Sequence, residues 1–315
     1  MDEQELAGKR ILVTGGSGFI GGALAKSLCE EADVRVLDID PDSSLPDSVE
    51  FVEGDVRDQA TVDAAAADVD VILHQAALVS VEESIARPVE SHAINTTGTL
   101  QVLEAAREHD VRVVVASSAA IYGNPDRVPI AESAPLVPTS PYGVDKLAVD
   151  HYVRLYHELY DVDAVALRYF NVYGPGQAGS DYAAVIDVFM GQARAGEPIT
   201  VEGDGKQTRD FVHVDDVVRA NRLAATTSNV GTAYNVGTGE SVSVNDLAVA
   251  VKNAVGSDAE IVHVEAREGD IRRSRADLSR ANAQLGYAPS VALDTGLETV
   301  VEHRERSEEE SPISR

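Results

Sequence analysis

A chain of 315 residues with 44% hydrophobic content is long enough to bury one large core, or two unequal ones that share a cleft. Its 53 acidic residues against 26 basic ones leave a net charge of −27, which repels nucleic acid and anionic membrane surfaces and argues against either as a partner. The single Cys29 excludes a disulfide framework and a thiol metal site, and its apolar surroundings make it a small core residue by expectation. The start of the chain, Met1-Asp-Glu-Gln-Glu5, is acidic where a secretion signal would be basic. No apolar run approaches about 18 residues, so a soluble cytoplasmic protein is expected.

Short β-branched runs alternate with helical stretches through residue 170. Strands are predicted at Arg10 to Thr14, Val34 to Ile39, Glu50 to Glu53, Val69 to Leu73, Arg112 to Ser117 and Ala164 to Arg168. Helices are predicted at Ile20 to Glu31, Gln59 to Ala66, Val89 to Glu108 and Tyr142 to Tyr160. This alternation predicts an α/β fold built on a doubly wound parallel sheet. After Gly174-Pro175-Gly176 the texture changes to shorter mixed elements: helices near Ala183 to Ala195, Val244 to Val255 and Leu293 to Arg304, and a strand at Ile199 to Glu202. Residues 1–175 are therefore expected to form one domain, to which a segment near 208–238 returns through the short apolar run at Tyr234-Asn-Val236. Residues 176–315 form a smaller mixed domain, and the polar tail 307–315 is expected to fray.

Gly15, Gly18 and Gly21 follow the first strand and open the first helix. That context suits a dinucleotide loop of the Rossmann type: a tight turn, backbone N–H groups open to a pyrophosphate, and close helix-to-strand packing. Asp38 ends the second strand, 23 residues beyond Gly15, where its carboxylate would bond ribose hydroxyls and repel a 2′-phosphate, favouring NAD over NADP. Asp40 is near enough to compete for that role. Asp55 and Val56 follow the third strand, where they would flank the adenine. Ala76 and Ala77 follow the fourth, and their small side chains suit either the cofactor or core packing.

Tyr142 begins a predicted helix, so Lys146 lies one turn later on the same face. A tyrosine with an ordinary pKa of about 10 is almost wholly protonated at neutral pH. The Lys146 ammonium and the positive ring of oxidised NAD would both lower that value, making Tyr142 a general base. Ser118, at the carboxyl end of the fifth strand, is placed to bond the same substrate oxygen, although a hydroxyl there also serves as a strand-end cap.

These residues resemble the extended short-chain dehydrogenase/reductase family, and within it the NAD-dependent sugar-nucleotide epimerases and dehydratases. The matching runs are Thr14-Gly-Gly-Ser-Gly-Phe-Ile-Gly21, Ser117-Ser-Ala-Ala-Ile-Tyr-Gly123, Tyr142-x3-Lys146, Arg168-Tyr-Phe-Asn-Val-Tyr-Gly-Pro175, Arg209-Asp-Phe-Val-His-Val-Asp215 and Arg267-Glu-Gly-Asp270. The resemblance implies that Phe19, Ile20, Asn95 and Tyr169 join the cofactor-binding set, with Tyr169 by the nicotinamide. It implies that Asn171, Arg209 and Arg267 hold a UDP diphosphate, for which arginine's paired donors are suited. Asp270 resembles a ribose contact, and Val185 and Ile186 would pack near the uracil or form plain helix core. Ser274, seven residues beyond Arg267, matches a gatekeeper position that is small in members admitting N-acetyl sugars.

The family's dehydratases carry an Asp-Glu pair after the catalytic hydroxyl, where this chain has Ala119-Ala120. The resemblance therefore favours 4-epimerisation of a UDP-sugar through a 4-keto intermediate that rotates before hydride returns. A UDP-glucuronate 4-epimerase, a reductase on the same scaffold and an NAD-binding regulator are the competing readings. The two long predicted helices resemble those through which family members pair, so a homodimer is expected, although core packing within one subunit also accounts for their apolar faces.

The acidity is spread along the whole chain, and only five of its 26 basic residues are lysine. This composition suits a high-salt cytoplasm, where screening keeps a carboxylate-rich surface soluble and compact. A denaturation series should show unfolding as salt is withdrawn and recovery at molar salt; stability indifferent to salt would mark an ordinary acidic protein instead.

Overall fold

Six β-branched runs become parallel strands: β1 Arg10–Thr14, β2 Asp33–Asp38, β3 Glu50–Glu53, β4 Val71–His74, β5 Arg112–Ser118 and β6 Ala164–Tyr169. A computed structural model of the chain describes residues 6–42, 44–177, 185–266 and 271–310. The strand Thr232–Val236, which contains Tyr234-Asn-Val236, adds to the edge beyond β6, giving the order Thr232–Val236, β6, β5, β4, β1, β2, β3. Every residue of β4 and β6 is buried, as expected of strands covered by helices on both faces. The chain reverses direction across the sheet between β1 and β4, and such a reversal opens a crevice at the carboxyl ends of the strands.

One face of the sheet packs Val13, Leu73, Val114 and Leu167 against α1 (Phe19–Leu28) and the helix Val214–Thr226. The other packs Leu12, Ile72, Val113 and Val115 against α2 (Gln59–Ala66) and the helices that follow β4. A separate core joins the helices Val185–Ala195 and Val244–Val255 through Ile186, Phe189, Met190, Leu247 and Val251, with Leu297 from Leu293–Glu310. Among the described residues, no helix is long and apolar enough to cross a membrane.

The predicted helix Val89 to Glu108 is interrupted. It consists of α4 (Pro88–His92), a π turn at Ala93–Thr97 and α5 (Gly98–His109), preceded by α3 (Val81–Ala86), which the pattern did not suggest. Pro88 opens α4 in the first turn, where its missing N–H costs nothing. The wider π turn carries Asn95 and Thr96 into the interior, a distortion common near functional sites. Hydrophobic spacing registers the apolar stripe and is blind to one extra residue in a turn.

Other boundaries move by a residue or more. β4, β5 and β6 each extend to take in His74, Ser118 and Tyr169, while the ladder of β4 starts two residues late, after a left-handed Asp68 (φ 60°). The helix Ser279–Leu285 was not foreseen. The helix Leu293–Glu310 runs past residue 307, where the polar tail is expected to begin, and residues 311–315 of that tail lie outside the described residues. Cys29 is a half-buried cap of α1 packed against the first core.

α6 (Pro141–Tyr160) is the element that positions the chemistry. Ser140 caps it by accepting the Gly143 N–H (3.1 Å), Pro141 occupies the first turn, and Asp161 ends it in the left-handed conformation (φ 57°). Its buried stripe includes Asp145, Lys146, Val149, Asp150 and Val153. Asp150 is matched by Arg168 of β6, whose Nε and a terminal nitrogen donate to its two oxygens at 2.8 and 2.9 Å. The remaining terminal nitrogen of Arg168 donates to the Tyr122 hydroxyl and the Glu132 carbonyl. Losing one partner of such a buried pair costs about 3–5 kcal/mol, so helix and strand are locked in register.

Candidate active site

The glycine loop is built to be narrow. Gly15 has φ +69°, and a side chain there would meet the backbone of Ala76 at 2.5 Å; at Gly21 it would lie 2.0 Å from the Gly15 carbonyl. Gly18 opens α1 without a side-chain cap, which leaves first-turn N–H groups near Phe19 and Ile20 available to an anion. The Ser17 hydroxyl is buried without a hydrogen-bond partner, and the Ser17 N–H donates to Asp38 (2.9 Å). Orphaned hydroxyl, uncapped helix start and carboxylate thus converge on one loop, a donor and acceptor set that fits a dinucleotide. Asp40 is exposed and its backbone N–H leans on Asp38. The Asp55 carboxylate is gripped by Arg57, whose hydrogen bonds hold it below its ordinary range, while Val56 is buried against Gly98.

Beneath this loop runs a chain of hydrogen bonds that sequence reading missed. The Ala76 N–H donates to Thr14 Oγ1 (3.4 Å), which pairs with His74 Nδ1 (2.7 Å); His74 Nε2 pairs with Thr99 Oγ1 (2.9 Å), which donates to the Asn95 carbonyl. Because Thr99 donates onward, His74 Nε2 carries the proton and Nδ1 accepts from Thr14. Burial, aided by the charge of Lys146, pushes His74 down to about 3, so it is neutral. Asn95 is fully buried, and its side-chain amide bonds both the N–H and the carbonyl of Leu78 (2.8 and 3.0 Å). It shapes the loop after Ala76 and Ala77.

Ser118 ends β5 and does two things. Its oxygen accepts the Ala120 N–H (3.1 Å), capping the short turn Ala119–Tyr122, and its side chain hydrogen-bonds Tyr142. The Tyr142 N–H, an orphan of the first turn of α6, donates to Ser84 of α3 (3.1 Å). Lys146 lies with Nζ 6.0 Å from the Tyr142 ring centre and donates to the Ala116 carbonyl (2.8 Å). Burial lowers Lys146 to about 8, against an upward push from Asp145. The lowered pKa expected for Tyr142 is not found in the chain alone: burial raises it, and the Ser118 hydrogen bond opposes the rise.

Tyr169 is buried, and its hydroxyl meets Gln75 (3.3 Å) and Asn221 of the helix Val214–Thr226 (2.8 Å from the Asn221 amide). Burial pushes it up to about 12. The Gln75 and Asn221 partners were not foreseen; their position beside Ala76 was the one available signal for Gln75.

The second half of the site hangs from Asp210. Its buried carboxylate accepts the N–H and hydroxyl of Thr238 (2.7 Å each) and the N–H groups of Gly239 and Ala276 (2.9 Å each). Its carbonyl accepts both the backbone and side-chain N–H of Asn171 (3.0 Å each). Arg209 donates to the Thr208 and Ile271 carbonyls, and the Ser274 N–H bonds Thr208 (3.0 Å), bringing this 8% exposed residue beside Arg209. Val185 is half-buried, whereas Ile186, 2% exposed among Phe189 and Met190, is plain helix core. Arg267 and Asp270 lie outside the described residues.

Residues 11–237 match the model of the NAD dependent epimerase/dehydratase family. The chain is 39% identical to the UDP-glucose 4-epimerase of Mycolicibacterium smegmatis, across 93% of this chain and 97% of that one. It is similar in structure to the UDP-glucose 4-epimerase of Thermotoga maritima with UDP-glucose, with 35% identity, a TM-score of 0.89, and coverage of 95% and 99% of the two chains. It is similar as well to a UDP-N-acetylglucosamine 4-epimerase from Methanobrevibacter ruminantium in complex with UDP-N-acetylmuramic acid, with 32% identity, a TM-score of 0.90, and coverage of 96% and 99%.

The collision at Gly21 has a direct consequence. Gly21→Ala should weaken NAD binding about 100-fold, or about 2.7 kcal/mol, with an unchanged far-ultraviolet circular dichroism spectrum; full affinity in calorimetry would show that the cofactor sits elsewhere.

Proposed function

Because the chain belongs to the NAD dependent epimerase/dehydratase family, we propose that it interconverts the C4 epimers of a UDP-sugar, glucose and galactose first and their N-acetylated counterparts as well. The observation that carries this reading is Tyr142 bonded to Ser118 above a buried Lys146, followed by Ala119 and Ala120, which offer no acid for elimination. NAD, held by Gly15, Gly18 and Gly21 with Asp38 toward its ribose, supplies a reversible hydride acceptor when bound.

The protein's own part is proton transfer and placement. Tyr142 takes the proton of the sugar 4-hydroxyl and returns it when the epimer forms. Burial alone works against this by holding the phenol protonated. The Ser118 hydrogen bond and the positive charge of Lys146 must therefore favour the phenolate, each pKa unit being worth about 1.4 kcal/mol. Ser118 bonds the same substrate oxygen and stabilises charge as it develops. Asn171 and Arg209, with Arg267, hold the diphosphate; Asp270 takes the ribose and Val185 flanks the uracil. Ser274 stands beside the sugar 2-substituent, where a small side chain leaves room for an acetamido group.

We place the enzyme in the cytoplasm as a homodimer. Supporting the pairing, Val89 of α4 is 82% exposed, and Val144, Leu155 and Leu159 of α6 are exposed too, an apolar set suited to a second copy of the same face. Analytical ultracentrifugation in molar salt should give twice the chain mass, and a monomer would remove this assignment.

Incubation with UDP-glucose, UDP-N-acetylglucosamine and UDP-glucuronate tests the reaction itself. Epimerisation of the first two without net NAD reduction is the expected result, and stoichiometric reduction would mark a dehydrogenase. Ser274→Tyr should cut turnover of the N-acetyl sugar at least tenfold while sparing UDP-glucose; equal turnover of both would refute the role of Ser274.

A further inference from the structure

α6 carries a buried carboxylate that the reaction as described leaves unused. Asp145 stands between Tyr142 and Lys146 and is 3% exposed. Its oxygens accept the Ser91 hydroxyl (2.7 Å) and the Thr96 hydroxyl (3.3 Å), and face His92 Nδ1 at 3.0 Å. Ser91 and His92 end α4, and Thr96 lies in the π turn. Ser91 also accepts from the Asn95 amide (3.3 Å), and Asn95 in turn holds Leu78. One carboxylate thereby ties the catalytic helix to the turn that shapes the loop after β4.

Hydroxyl donors orient a carboxylate without neutralising it, and an uncompensated buried charge costs several kcal/mol. The surrounding groups narrow the choice of counter-ion. His92, on α4, has a side chain 60% exposed to solvent. His74 of β4 is neutral, Arg168 of β6 is closed on Asp150, Arg87 between α3 and α4 pairs with Glu83 and Glu90, and Glu104 of α5 bonds Tyr156. Ser118 of β5 and Tyr142 are uncharged partners of each other. Lys146, the next residue, is a buried ammonium whose hydrogen bond goes to a neutral carbonyl.

We propose that Asp145 is a positioning residue that locks α6 to the Ser91–Thr96 turn and supplies the negative charge against which Lys146 stays an ammonium, so that Tyr142 faces a full positive charge. This rests on Tyr142 and Lys146 being the catalytic pair. An asparagine has the shape of the latch; the charge is what a carboxylate adds. The upward push of Asp145 on Lys146, against burial that takes it down to about 8, has the sign this role requires.

Only five lysines occur in the sequence, so the Lys146 side chain can be followed by carbon-13 NMR in the full chain with NAD added. In Asp145→Asn its titration midpoint should fall by about one unit. The alkaline limb of the kcat profile should move down equally, cutting kcat about fivefold at pH 8 with KM little changed. A midpoint that stays in place while kcat drops evenly at all pH values would reduce Asp145 to a structural latch and overturn the proposal. Should Asp145→Asn not fold, Asp145→Ser keeps a hydroxyl in the latch and is read the same way. His92→Gln, which leaves the carboxylate in place, should not lower the Lys146 midpoint, and a fall equal to that in Asp145→Asn would transfer the role to His92. The NMR midpoint is read without substrate, so an error in the sugar assigned would leave it standing.

Discussion

Burial of three ionisable side chains on one helix is the constraint from which the rest of this molecule follows. Packing α6 on the sheet places Asp145, Lys146 and Asp150 in the same stripe as Val149 and Val153. Apolar packing alone would tolerate small shifts of the helix; buried polar groups do not, because each one left without its partner costs about 1–3 kcal/mol, and more if charged. Their partners come from three different places: the Ser91–Thr96 turn, the Ala116 carbonyl of β5 and Arg168 of β6. No displacement of the helix satisfies all three at once, and this keeps Tyr142 in reach of Ser118.

The same logic extends outward from the carboxyl edge of the sheet. Thr14, His74, Thr99 and Asn95 form a hydrogen-bonded line below the glycine loop, and each group is used as donor or acceptor in the only way that satisfies the next. Tyr169, Gln75 and Asn221 do the equivalent on the opposite face. Asp210 gathers the strand around Asn171, the Thr238 loop and the segment carrying Ser274. Rigid supports of this kind allow side chains on neighbouring strands and loops to meet a ligand in a fixed geometry.

Several sequence expectations were altered by these supports. The helix expected at Val89 to Glu108 contains a π turn whose Asn95 and Thr96 have interior partners, Leu78 and Asp145. Asn95, expected in the cofactor set, has its side-chain amide bonded to the backbone of Leu78 and to the Ser91 hydroxyl. Lys146 and the oxidised NAD ring are expected to lower the pKa of Tyr142, yet in the chain by itself burial raises it against the Ser118 hydrogen bond. Ile186 had two readings open, and packing against Phe189 and Met190 selects the core. For the π turn the deciding neighbours, Leu78 and Asp145, are far away in sequence, beyond the reach of local spacing.

The sequence by itself determined the alternation of strand and helix, the narrow glycine loop, the carboxylate at the end of β2 and the pairing of Tyr142 with Lys146 on one helix face. These depend on backbone sterics, side-chain periodicity and intervals of a few residues, which are local quantities. Tertiary structure alone decided which polar side chains are buried and what they face: the neutral tautomer of His74, the grip of Asn221 on Tyr169, the hub at Asp210 and the burial of Asp145 against the Ser91–Thr96 turn. Electrostatic strength depends on distance and on the exclusion of water, and both are set only when distant segments of the chain pack together.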